Sequence, residues 1–120
     1  VVEEGEDGAV IRLRRLLQAV QSDVEEGTGP GQIGYRFHQT LAEMIVAVCQ
    51  RIAAEQGPRT VALSGGCFQN RLLLALTVPR LEDAGFQVLL HQQVPCNDGG
   101  ISLGQVALAH FAALEPKHRP

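Results

Sequence analysis

Thr60 to Arg71, TVALSGGCFQNR, limits the folds open to this chain more than any other stretch. Thr60, Val61, Ala62 and Leu63 read as a short buried strand behind a Gly57-Pro58 turn. Ser64-Gly65-Gly66 ends the strand, and a leucine-rich helix opens between Phe68 and Asn70. In open α/β sheets, ligands sit beyond the carboxyl ends of strands, where loop amides and a helix N-terminus receive anionic groups. Adjacent glycines let such a ligand approach the main chain. They also fit a plain tight turn, and Asn70 fits a helix N-cap as readily as a ligand contact.

The rest of the chain reads around that strand. Val10, Leu13, Leu16, Leu17, Val20 and Val24 recur at helical spacing and predict an amphipathic helix with a core-facing stripe. GTGPGQIG, residues 27 to 34, is a loop. A second helix from Tyr35 or Arg36 to Gln56 shows an apolar face of Phe37, Leu41, Met44, Ile45, Val48 and Ile52, with Gly57 as its C-terminal cap. In the leucine-rich helix, Pro79 predicts a kink or a restart. Phe86 to Leu90 is a second strand, parallel to the first because a helix separates them. A last helix runs from Ile101 to about Leu114, and EPKHRP is a fraying tail. The order is helix, helix, strand, helix, strand, helix, an α/β pattern. Two strands make a poor sheet, so the chain reads as a piece of a larger body.

Composition excludes several classes. At 120 residues and 45% apolar, the chain holds one modest core. The formal charge of −3 argues against a nucleic-acid binder. Seven acids against three arginines in residues 1 to 26 read as a solvated face. No apolar run reaches the roughly 20 residues that span a bilayer, and no signal sequence is visible, so no membrane partner is expected. Cys49, Cys67 and Cys96 show neither disulfide nor zinc spacing, which suits a reducing cytoplasm. Cys67 reads as a small buried thiol and not as a nucleophile, since no base adjoins it in sequence.

A second motif, Val94 to Gln105, VPCNDGGISLGQ, sets Asp98 in a glycine-rich loop ahead of the last helix. A carboxylate flanked by glycine reaches a hard cation such as magnesium, manganese or iron unobstructed. The alternative for Asp98 is an Asx turn. Together with SGGCFQNR, about thirty residues upstream, this motif resembles the C-terminal end of the hydrogenase maturation carbamoyltransferases of the HypF family. The resemblance covers roughly residues 35 to 110 and includes RFHQTLAE around His38.

That resemblance implies an RNase H-like, two-lobed fold, as in actin, sugar kinases and heat-shock ATPases, with this chain as most of the second lobe of a TsaD-like transferase domain. It implies that ATP and carbamoyl phosphate yield a carbamoyl adenylate, whose carbamoyl group passes to the C-terminal cysteine of the partner HypE on the way to the cyanide ligands of nickel-iron hydrogenase. Ser64, Gly65, Gly66 and Asn70 then match the nucleotide-binding segment, Gln69 and Arg71 match its motif, and Asp98 matches a metal ligand. Related enzymes add two histidines spaced four apart on a helix. His38, His91, His110 and His118 lack that spacing, so the remaining ligands would lie outside this chain. His38 is the one candidate catalytic residue, against a plain surface histidine. The rival readings are a threonylcarbamoyl transferase acting on tRNA and a non-catalytic half lobe that binds nucleotide or a partner. An unsatisfied lobe face also points to self-association of the isolated chain.

Overall fold

A computed structural model describes residues 2–5 and 8–114, with burial described for residues 10–55 and 57–113. From Arg14 onward the elements follow the expected order: α1 (Arg14–Glu25), α2 (Pro30–Gln56), β3 (Thr60–Leu63), α3 (Arg71–Asp83), β4 (Gln87–Leu90) and α4 (Ile101–Leu114). An unexpected antiparallel hairpin precedes them. Its strands β1 (Val2–Gly5) and β2 (Gly8–Ile11) set Val2 opposite Ile11 and Gly5 opposite Gly8. Val10 therefore lies on a strand and not on the first helix. Val10 and Ile11 are β-branched, and their pairing with Glu3 and Val2 across the hairpin overrides the helical spacing.

The first helix also buries less than its stripe suggests. Leu16 is buried, whereas Leu17 and Val24 are about 60% exposed. Arg36 Nη1 of α2 donates to Asp23 Oδ1 at 2.5 Å and helps to dock α1 on α2. α2 starts at Pro30, several residues before the expected loop end. Proline at a first helical position has no N–H to leave unpaired, and its fixed φ suits the helix. Gly57 ends α2 in the left-handed conformation, φ 81°, and donates to the Ala53 carbonyl.

α3 runs through Pro79 without restarting. Leu73, Leu76 and Leu81 are buried, and the core gathers Ala53 of α2, Leu63 of β3, Leu81 of α3 and Phe86, with Val61, Phe68, Leu74 and Val88 around it. Each large side chain buried there contributes about 1.5–3 kcal/mol. β3 and β4 are parallel, with Thr60 opposite Gln87 and Leu63 opposite Leu90. Only one face of β3 is covered: Leu63 is buried and Val61 half-buried, while Thr60 and Ala62 are exposed. The strand expected to be fully buried is thus half covered.

α4 is apolar but unburied. Every residue from Ile101 to Ala113 is exposed, and the helix packs chiefly on the turn that leads into it. The expected fraying tail, residues 115–120, lies outside the described residues. Among the described residues, no helix is long and apolar enough to cross a membrane.

Candidate functional site

Ser64 follows Leu63 of β3, and His91 follows Leu90 of β4. Because those strands are parallel and in register, the two side chains meet at the carboxyl end of the sheet, with His91 Nε2 at 2.9 Å from Ser64 Oγ. Gly65 comes next at φ 100° and ψ 159°, a conformation that a side chain would strain. Gly66 to Gln69 form one 3-10 turn. Phe68 secures the turn by packing on the core. Asn70 then caps α3: its Oδ1 accepts the Leu73 N–H at 3.0 Å.

The other end of the Asn70 amide is also engaged. Nδ2 lies 2.7 Å from His38 Nε2, and His38 Nδ1 lies 2.7 Å from the Gly34 carbonyl oxygen. A carbonyl only accepts, so Nδ1 carries the proton and donates to it, and Nε2 accepts from Asn70. Both nitrogens of His38 are therefore in use. His38 is half-buried, with its ring edge-on to Phe37.

The second loop is tied to the first through the backbone. Gly65 N–H donates to the Cys96 carbonyl at 2.6 Å. Between the two loops lies an open cavity of about 260 Å³, whose lining includes Phe68, Gln69, His91, Pro95 and Cys96. Asn97 builds the turn ahead of α4, its Oδ1 accepting the Gly99 N–H at 3.0 Å. Asp98 is exposed; its carbonyl accepts the Ile101 N–H, but its carboxylate has no hydrogen bond or ion pair among the described residues. The Asx turn considered for Asp98 belongs to its neighbour. Gly100 is required by close approach, since a Cβ there would stand 2.8 Å from the Pro95 carbonyl oxygen.

Gly66 differs. Its φ is ordinary, and a Cβ added to it meets nothing within 4 Å. Arg71, exposed at the start of α3, has no ion-pair partner among the described residues. The loop thus presents an open glycine, a cation and a capped helix N-terminus, a setting suited to an anionic ligand. Among the described residues, no three His, Cys, Asp or Glu side chains gather as a metal site. One carboxylate does not hold a cation by itself, so Asp98 is at most one donor.

The cysteines behave unequally. Cys67 is exposed, not buried as its sequence context suggested. It lines an apolar cavity of about 300 Å³ together with Cys49, Met44 and Phe68. Burial pushes the Cys49 thiol up from its ordinary value. Sequence reasoning missed His91, which it counted among scattered histidines, and the Cys96 carbonyl. The signal for His91 was available, because two parallel strands ending in register place the next residues side by side.

Residues 2–105 match the family model described as the second subdomain of the carbamoyltransferase Kae1-like domain. The chain is 40% identical over 93 residues to the carbamoyltransferase HypF of Synechocystis, covering 78% of this chain and 11% of that protein. It is 40% identical over 117 residues to a carbamoyltransferase HypF homolog of Cupriavidus necator, covering 93% of this chain and 29% of that protein. The fold superimposes with a TM-score of 0.88 and 37% identity on a crystal structure of full-length HypF in the phosphate- and nucleotide-bound form, covering 100% of this chain and 16% of that one. The chain therefore spans under a third of the curated relatives it matches here, and it belongs to the HypF carbamoyltransferase family as the second subdomain of the Kae1-like domain.

Proposed function

We propose that this chain is the nucleotide-facing half of a two-lobed, RNase H-like carbamoyltransferase domain, with the facing lobe supplied by the rest of a longer enzyme. The carrying observation is Gly66: nothing among the described residues needs that position to be glycine, yet it opens the loop at the carboxyl end of β3. A ligand lying against the main chain accounts for it.

In this reading Ser64, Gly65, Gly66 and Asn70 receive ATP or its carbamoyl adenylate. Gly65 supplies shape, because its amide is already donated to Cys96. Gly66 supplies room, Ser64 a hydroxyl, and Asn70 a fixed helix start beside the Arg71 charge. These residues bind and orient, and holding the acyl adenylate in line with its acceptor lowers the barrier through positioning. The carbamoyl group comes from carbamoyl phosphate and passes to the C-terminal cysteine of HypE in the cytoplasm. Asp98 offers one hard oxygen toward a divalent cation, magnesium, manganese or iron, whose other ligands come from outside this chain. Such a cation, when bound, stabilises negative charge on the acyl phosphate.

Asp98→Ala in the whole enzyme tests this. Bound metal and transfer to the acceptor cysteine should both fall while adenylate formation survives. Undiminished metal content together with a destabilised protein would end the assignment of Asp98. A whole enzyme that binds nucleotide but transfers nothing would favour the non-catalytic binding module.

A further inference from the structure

Two histidines that the nucleotide reading leaves unused hold the two ends of the glycine loop. His91 Nε2 meets Ser64 Oγ at its start, and His38 Nε2 meets Asn70 Nδ2 at its end. The loop between them is exposed apart from the half-buried Phe68 and includes two consecutive glycines, so Phe68 on the core and the Gly65–Cys96 backbone bond restrain its middle and leave its two ends to the histidines. A ligand that binds such a loop must offset the cost of ordering it, unless the loop is already held.

At the Asn70 end the hydrogen bonding has a single consistent solution. The Leu73 N–H requires Oδ1, which turns Nδ2 toward His38, and the Gly34 carbonyl requires a proton on Nδ1, which leaves the Nε2 lone pair to accept. We infer that His38 is a positioning residue: the Gly34 carbonyl selects its Nδ1–H form, and that form fixes Asn70 and the exit of the nucleotide loop. His91 holds the entrance through Ser64. His38 acts through Asn70 and touches no substrate. The inference rests on the reading of residues 64 to 70 as the nucleotide loop.

Two measurements separate it from that reading. In the full chain, the imidazole nitrogen shifts of His38 should report the Nδ1–H form alone. His38→Leu should broaden or shift the Gly65 and Gly66 amide signals, and His38→Gln, whose carbonyl can accept from Asn70, should restore them. In the whole enzyme, His38→Leu should weaken ATP binding by about tenfold, the scale of one lost hydrogen bond, with His38→Gln recovering most of it. An Nε2–H form of His38, or unchanged loop amides and ATP affinity in His38→Leu, overturns the inference. Intact His38 signatures in an enzyme that binds no ATP would uphold the clamp and overturn the nucleotide reading.

Discussion

Asn97 Oδ1 accepts the Gly99 N–H at 3.0 Å, and this one contact gives the turn before α4 to Asn97 and leaves the adjacent Asp98 carboxylate without a structural task among the described residues. The two neighbours should therefore respond oppositely to truncation. Asn97→Ala should lower stability by about 1 kcal/mol, as capping losses do. Asp98→Ala should stay within about 0.5 kcal/mol of the parent. Thermal melts of both variants check this, and a larger loss for Asp98→Ala would return the turn to Asp98.

Three glycines should also separate by their surroundings. Gly100→Ala drives a Cβ to 2.8 Å from the Pro95 carbonyl oxygen and should cost about 1–3 kcal/mol. Gly66→Ala meets open space and should be nearly neutral to folding. Gly104→Ala lies inside α4 with nothing within 4 Å and should stabilise by up to about 1 kcal/mol. Denaturant unfolding of the three variants would rank them, and a destabilising Gly104→Ala would show that α4 has close neighbours.

α4 exposes Val106 and Phe111 at 66% each and Leu108 at 72%. A contiguous apolar helix of this kind self-associates when no other surface covers it. Sedimentation of the isolated chain should show concentration-dependent association, and Val106→Glu with Phe111→Glu should abolish it. A strict monomer at high concentration contradicts this expectation for α4.

The thiols give a pH prediction. Desolvation raises the Cys49 pKa, so the folded state binds its proton more tightly than the unfolded state does. The stability linked to Cys49 is complete below the ordinary thiol range and is lost as pH climbs through it. Cys49→Ala should flatten that alkaline decline. Alkylation at neutral pH should label exposed Cys67 well before Cys49. Equal labelling rates would contradict the burial of Cys49.

Local signals made much of the fold legible. A four-residue run between Pro58 and the Gly65-Gly66 pair could only be short, and β3 is Thr60–Leu63 as expected. Gly57 fixed the end of α2 for the same reason. The failures share a cause, because periodicity reports spacing and not what covers a face. Leu17 and Val24 keep a helical repeat but stay mostly exposed, and Val10 fits the repeat while pairing in a hairpin. At the site, the motif marked the glycines, Asn70 and Asp98. The pairing of His38 with Asn70 spans 32 positions and depends on how α2 lies against α3, which no local pattern encodes.

In the proposed function, the loop opened by Gly66 receives the nucleotide. Calorimetric titration of the whole enzyme with ATP, comparing the parent with Gly66→Val, tests it most directly. An added Cβ meets nothing within 4 Å there, so the melting temperature should hold within a few degrees while ATP affinity falls at least about a hundredfold. Unchanged affinity in a folded Gly66→Val enzyme would show that Ser64-Gly65-Gly66 is only a turn.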